Sequence, residues 1–180
     1  MRQEAGQGGF TLMEVVVATL VLVVGLVSML ALFAQAVVVL SCAQEDLVAQ
    51  QKGQEALESI YTARNTQQIT FDMVRNTSAG GIFLDAWQPL RTSGPDGLVG
   101  TADDGAVETL TLPGPDGLLG TADDEIRHLT SFTRRIDITP LVIGGTTSPD
   151  IRQVAVTVRY LTARGWQRSY RAVTYISRFR

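Results

Sequence analysis

A single carboxylate stands inside a long uncharged stretch near the N-terminus. From Phe10 to Leu40, Glu14 carries the only formal charge. This stretch is longer than the roughly 20 residues that cross a bilayer as a helix. A charge in hydrocarbon costs about 2.5–3.5 kcal/mol unless a partner compensates it. Glu14 is therefore a candidate functional residue, and the chemistry expected of it is the compensation of a nearby positive charge.

Two nearly identical acidic loops occupy the middle of the chain. Residues 94–104 read GPDGLVGTADD and residues 114–124 read GPDGLLGTADD, so ten of eleven positions agree. Pro-Asp-Gly is typical of a turn, because proline presets φ, aspartate bonds its own main chain and glycine accepts a positive φ. Carboxylates on a glycine-bent loop are also ligands that calcium prefers. The candidate calcium ligands are Asp96, Asp103, Asp104, Asp116, Asp123 and Asp124.

Two interpretations of these loops stay open. The spacing of the acids is not that of an EF-hand, which needs acids at its third and fifth positions and a bidentate glutamate at its twelfth. Either the loops bind calcium, the one cofactor that the sequence suggests, or they are two solvated acidic turns. The alternating residues 106–112 predict a short strand between them.

Charge is distributed unevenly along the chain. Residues 92–126 contain eight acidic and no basic side chains, whereas residues 151–180 contain seven arginines and no acid. Arginines interleaved with aromatic residues can contact phosphates and stack on bases. The candidates for DNA binding are Arg159, Arg164, Arg168 and Arg171. The alternative is that these arginines are solvated on the outer face of a sheet or pair with acidic partners, such as the acidic loops of a neighbouring subunit.

The sequence offers little material for catalysis. His128 is the only histidine and Cys42 the only cysteine, so neither an intrachain disulfide nor a multi-cysteine metal site can form. No Ser/His/Asp set, Cys/His set or phosphate-binding loop can be argued from the remaining residues. We therefore expect that the protein is not an enzyme.

The N-terminal run GGFTLMEVVVATLVLVVG resembles the N-terminus of type IV pilins and pseudopilins. Glycine, aromatic, hydroxyl and acidic residues fall in register before the apolar segment. The resemblance implies that a prepilin peptidase cuts after Gly9 and methylates the new N-terminus at Phe10. It also implies that Glu14, at the fifth mature position, compensates the Phe10 ammonium of the same or a neighbouring subunit, an attraction that is far stronger in a low-dielectric bundle than in water.

Within that family, the sequence is more similar to minor pilins of the PilV type than to a major pilin. The features are Glu-Val-Val-Val-Ala, the pair Gly25-Leu26, and the absence of proline around Ala31. The resemblance implies a structural subunit of a type IV pilus. One alternative is a minor type II secretion pseudopilin, and an alternative of another class is a membrane-anchored surface protein that binds DNA or calcium.

The resemblance also implies partners and a location. The partners are the prepilin peptidase, other pilins or pseudopilins that pack against the N-terminal helix, and the inner membrane before assembly. The chain would cross the bacterial inner membrane once, with its globular domain outside the cytoplasm. It would then enter a pilus or a periplasmic pseudopilus.

The order of segments predicts how these residues are positioned. We expect a leader over 1–9, a transmembrane and filament-core helix over 10–40, an amphipathic second half of the same helix over 41–64, and a globular domain over 65–180. Glycine at position 53 weakens a helix by about 1 kcal/mol relative to alanine and allows bending. The predicted buried stripe comprises Leu47, Gln50, Gly53, Leu57, Ile60, Tyr61 and Arg64.

The C-terminal part reads as strands. Alternating residues predict strands over 129–138 and 141–143, with a break or a strand edge at Pro140 between them. They also predict a loop over 144–150 and a terminal hairpin whose strands cover 153–160 and 166–176. The predicted fold class is therefore α+β, with a long spine helix packed on an antiparallel sheet of about four strands, as in the type IV pilin fold.

Overall fold

The computed structural model describes residues 9–162 and 164–179. It contains helix α1, a 3-10 turn at Thr77–Ala79 and six strands. The elements are α1 (Leu12–Asn65), β1 (Gln88–Pro89), β2 (Thr109–Leu112), β3 (Glu125–His128), β4 (Phe132–Ile143), β5 (Thr146–Leu161) and β6 (Gln167–Ser177). The predicted α+β class is confirmed: α1 packs with an antiparallel sheet of order β1-β4-β5-β6, and β2 and β3 form a second, two-stranded sheet.

The chain divides into two compact units between Ser41 and Cys42. The N-terminal unit contains the first part of α1, which is long and apolar enough to cross a membrane. The predicted leader lies outside the described residues except for Gly9. The C-terminal unit contains the rest of α1 and all strands, with a core of its own.

Small side chains line the face of α1 that packs on the sheet. We call this face the helix stripe; its members are Glu45, Ala49, Gly53, Ala56, Ile60 and Ala63. The predicted stripe was wrong at Leu47, Gln50 and Tyr61, which are exposed. Helix and sheet approach closely at Gly53, where an added Cβ would lie 2.9 Å from Cε1 of Tyr170. A larger side chain therefore does not fit at this point of the contact.

The three long strands alternate between a face that packs on α1 and an opposite face, which we call the outer face. The register of β4, β5 and β6 places Phe132, Tyr160 and Arg168 in one row on the packed face. The rings of Phe132 and Tyr160 stack with centroids 5.4 Å apart. The terminal hairpin predicted from the sequence is confirmed as β5 and β6, although β5 begins earlier than expected.

The hairpin between β4 and β5 corrects one prediction. The loop expected over 144–150 is only the two-residue turn Gly144-Gly145, whose φ angles of 57° and 81° suit the tight turn that joins twisted strands. Pro140 does not break β4 but lies on its edge, because β1 does not extend this far and an unpaired edge needs no N–H donor. The register instead shifts between Pro140 and Val142. The strand predicted over 106–112 is confirmed only for its second half, β2.

Asn76 satisfies the edge of β4 beyond the short strand β1. Its Nδ2 donates to the carbonyl of Ile136 at 2.7 Å, and the N–H of Ile138 donates to its Oδ1 at 2.8 Å. The side-chain amide therefore takes the place of one residue of a neighbouring strand. Nothing in the sequence distinguishes this asparagine from an ordinary turn residue.

Arg152, on β5, organises the turns that follow α1. Its guanidinium donates to the carbonyls of Phe71 and Val74 and lies 4.0 Å from the centroid of the Phe71 ring. Burial lowers the pKa of Arg152 from its ordinary value, and the nearby Arg75 lowers it further. Arg152, one of the seven arginines that make residues 151–180 basic, is thus buried in the globular unit.

Replacing Gly53 by alanine tests the close contact between helix and sheet. Alanine favours a helix by about 1 kcal/mol, but its Cβ would force the Tyr170 ring to move. We expect Gly53→Ala to lower the free energy of unfolding by about 1–3 kcal/mol, measured in the detergent-solubilised chain by urea unfolding and tryptophan fluorescence. Gly25→Ala is the matched control, because nothing lies within 4 Å of its added Cβ. Equal stability of the two variants would contradict the packing constraint.

Replacing Asn76 by alanine tests the side-chain bridge at the edge of β4. The change leaves a buried carbonyl and a buried N–H without partners, so we expect a loss of about 2–4 kcal/mol in the free energy of unfolding. Asn65→Ala, at the exposed end of α1, is the control and should change little. The bridge would be unimportant if both variants unfolded at the same urea concentration.

Candidate functional site

The N-terminal site residues lie together at the start of α1. Gly9 and Phe10 are exposed and precede the helix, and nothing lies within 4 Å of a Cβ built on Gly9. The N–H of Glu14 donates to Thr11 Oγ1 at 3.3 Å, so Thr11 caps the helix. Thr11 and Glu14 have the spacing of a capping box, a signal that the sequence analysis missed. The observed bond uses the Thr11 side chain and the Glu14 main chain, so it does not depend on the Glu14 carboxylate.

The apolar half of α1 satisfies its own polar groups. The hydroxyls of Thr19, Ser28 and Ser41 donate to carbonyls three or four residues earlier, at 2.8–3.1 Å. The large apolar side chains of this half are exposed along its length. Such a surface needs no water, which suits a helix surrounded by lipid or by other apolar helices.

The two acidic loops fold in the same way. In each, the aspartate of Pro-Asp-Gly accepts from the N–H two residues later at 2.8 Å, in Asp96 and in Asp116. The last aspartate accepts from a glycine N–H, at 2.8 Å for Asp104 and 2.7 Å for Asp124. The carboxylates thus fold each loop around themselves.

The first of the two adjacent aspartates closes each loop from the other side. Asp103 accepts from the N–H of Asp96 at 3.4 Å and from the hydroxyl of Thr101 at 2.7 Å. Asp123 does the same with Asp116 at 3.3 Å and Thr121 at 2.7 Å. The threonine hydroxyls are the main cause that lowers the pKa of Asp103 and Asp123 below 3.8.

The surroundings of the two loops differ although their backbones agree. In residues 94–104, which we call the docked loop, Leu98 and Val99 are 0% and 2% exposed. In residues 114–124, the exposed loop, Leu118 and Leu119 are 63% and 66% exposed. Only the docked loop contributes to the core, and a Cβ added to its Gly100 would lie 2.7 Å from Cδ1 of Ile136.

The structure supplies no metal cluster for the predicted calcium ligands. Across residues 9–162 and 164–179, no group of three or more His, Cys, Asp or Glu side chains is placed to hold a metal ion. The aspartates of both loops accept hydrogen bonds from their own loops instead. Calcium binding stays a prediction from the sequence.

The arginines predicted to bind DNA lie on different faces. Arg168 faces α1 and pairs with Asp46 at 3.0 Å, and Arg159 and Arg171 lie on the outer face. The Arg159 guanidinium lies 3.9 Å from the centroid of Trp87, and that of Arg164 lies 5.8 Å from Trp166. The four side chains therefore do not form one continuous DNA-binding surface, and DNA binding also stays a prediction.

Asp46 connects α1 to both strands of the terminal hairpin. Its carboxylate accepts from the hydroxyl of Tyr160 at 2.5 Å and from Arg168 at 3.0 Å. Burial, followed by the bond to Asp46, raises the pKa of Tyr160 to about 12. Arg168, one of the basic residues of the hairpin, thus forms an ion pair within the globular unit.

His128 lies on β3, exposed and opposite Thr109.

In comparisons with known proteins, no family model matches this chain, and neither a curated protein nor a solved structure matches it. The candidate sites are therefore argued from the residues and their geometry.

The threonine-to-aspartate bonds predict an acid-dependent change in the loops. A carboxyl whose pKa is lowered on folding adds stability above its ordinary pKa of 3.8, and that stability is lost as the pH falls through the folded pKa. We expect Thr121→Val to raise the pKa of Asp123 towards 3.8, measured by NMR titration of the carboxyl carbons. Asp103, in the unchanged docked loop, is the internal control. An unchanged pKa of Asp123 would contradict the assignment.

Proposed function

We propose that this protein is a minor pilin or pseudopilin, a structural subunit that is anchored in the bacterial inner membrane and then assembled into a filament. One observation supports the proposal above the others. The residues Gly9–Glu14 lead into the helix Leu12–Asn65 of 54 residues, whose first half exposes apolar side chains and whose second half provides the helix stripe of an α+β unit. A processing sequence, a membrane segment and a packed domain follow one another without a break in the helix.

Processing comes first in this proposal. Gly9 and Phe10 are exposed and lie outside the helix, so an extended segment is accessible to the prepilin peptidase. Cleavage after Gly9 leaves Phe10 with a new ammonium group, which the enzyme then methylates. Glu14, one helical turn further on, compensates that positive charge in the same subunit or in a neighbour.

Assembly then exchanges lipid for protein around the same helix. The hydroxyls of Thr19, Ser28 and Ser41 in the apolar first half of α1 need no further partner in either surrounding, because they donate to carbonyls of the same helix. The paired charges of Phe10 and Glu14 fix the axial position of one helix against the next, as a buried polar pair fixes register in coiled coils. A type IV pilus is the assembly we favour, and a type II secretion pseudopilus would use the same steps.

Two replacements of Glu14 separate its charge from the size of its side chain. Glutamine keeps the size and shape but is neutral, whereas alanine removes both properties. We expect Glu14→Gln and Glu14→Ala to insert and to be cleaved normally, and to enter filaments at least about tenfold less than the unchanged chain, because one charge of the pair is left uncompensated. The measurement is the amount of each variant in sheared filaments from cells with a complete assembly machinery, with cleavage checked by mass spectrometry.

Glu58→Gln is the matched control, since Glu58 is an exposed acid on the second half of the same helix. It should enter filaments at the normal level. Normal incorporation of Glu14→Gln would contradict the charge pairing. Failure of cleavage at Gly9 in the unchanged chain would contradict the proposed function itself.

A further inference from the structure

The exposed loop has the same fold as the docked loop, but the described residues of its own chain do not bury its two leucines. The docked loop, with the same turns and the same carboxylate bonds, buries Leu98 and Val99 in the core. The equivalent residues of the exposed loop, Leu118 and Leu119, stand in solvent. Because its carboxylates already hold the backbone, the exposed loop presents two apolar side chains on a preorganised support, which lowers the entropic cost of binding.

The docked loop shows which contacts this shape makes. Its two apolar residues insert among core side chains, and the carbonyl of Gly100 accepts from the N–H of Leu84 at 2.8 Å. The side chain of Gln68 also donates to the carbonyl of Asp96 at 2.5 Å. A binding surface for the exposed loop should therefore offer apolar side chains bordered by hydrogen-bond donors.

The outer face of the sheet has this composition. Val173 and Tyr175 are exposed on β6, and Arg171 precedes them on the same face of that strand. Arg159 lies on the same face of β5, opposite Ser169 and therefore nearer to Arg171 than to the two apolar residues. None of the ion pairs among residues 9–162 and 164–179 includes Arg159 or Arg171.

The charges of loop and face are complementary. Residues 113–126, which contain the exposed loop, carry four acids and no base. These acids are Asp116, Asp123, Asp124 and Glu125. The outer face offers Arg159 and Arg171 near its exposed apolar residues. Acidic side chains near two leucines would therefore meet arginines near a valine and a tyrosine. Such complementarity steers association and disfavours the pairing of two loops or two faces.

We propose that the exposed loop of one copy docks on the outer sheet face of a second copy. Leu118 and Leu119 contact Val173 and Tyr175, and the acids of the loop approach the arginines. Loop and face are different surfaces, so the contact is head-to-tail and repeats from copy to copy. The proposal concerns the globular unit alone and stands whether or not Glu14 acts as proposed above.

Paired cysteines test the contact in the full chain. With Cys42 replaced by serine and the protein in detergent micelles, Leu119→Cys combined with Val173→Cys should give dimers and higher multimers on oxidation. Leu118→Cys combined with Tyr175→Cys should give the same ladder. The matched control combines Leu119→Cys with Val142→Cys, because Val142 is a similarly exposed apolar residue at the β4–β5 hairpin.

A second measurement uses substitutions at exposed positions, which leave the core intact. We expect Leu118→Ser and, separately, Arg171→Glu to reduce the crosslinked fraction of the Leu119→Cys/Val173→Cys pair at least about tenfold. Ile143→Ser in the same cysteine pair is the control for Leu118→Ser, because Ile143 is a similarly exposed apolar residue. Higher salt should also reduce crosslinking.

Three results would overturn the proposal. One is an equally strong ladder from the Val142 control, and another is an equally high yield of dimer from Leu119→Cys alone, which would show contact between two loops. The third is an outer face that binds duplex DNA in an Arg171-dependent manner while the paired cysteines give no ladder. In that case a nucleic acid, and not a second copy, would occupy the face.

Discussion

The close contact between α1 and the sheet is the constraint on which the globular unit depends. Glycine at position 53 allows the ring of Tyr170 to reach the helix backbone, and the other small members of the helix stripe continue this contact. Asp46 then fixes the helix against the terminal hairpin through Tyr160 and Arg168. This contact lies in the second half of α1, which belongs to the C-terminal unit.

Buried charge is the second feature that shapes the unit. Lys52 on α1 pairs with Glu108, which is buried before β2, and with the more exposed Glu55. Burial lowers the pKa of Lys52, but its hydrogen bonds to both carboxylates outweigh that effect and the net pKa is raised. Arg134 is buried on β4, and burial lowers its pKa although Glu108 opposes the shift. Such groups are costly to bury singly and are tolerated as a cluster.

The sequence predicted the elements better than their contacts. Hydrophobic periodicity was enough for one long helix and a sheet of four strands, because both patterns are local. It misplaced the helix stripe, because size and polarity do not reveal which face meets a sheet closely. The amide bridge of Asn76 and the burial of Arg152 depend on partners 60 or more residues away. The near identity of the two acidic loops could be seen in the sequence. Their unequal burial could not, because it depends on where β2 and β3 place the exposed loop.

The acidic loops also bear on the order in which the chain folds. Their side-chain bonds join residues no more than seven positions apart, and loops of this size close in about 10–100 ns. Each loop can therefore form before the slower packing of α1 on the sheet, which joins Asp46 to Tyr160, 114 positions apart in sequence. The docked loop is therefore already folded when it packs into the core. The exposed loop folds at the same early stage, and under the proposed docking its leucines become buried only when two molecules meet.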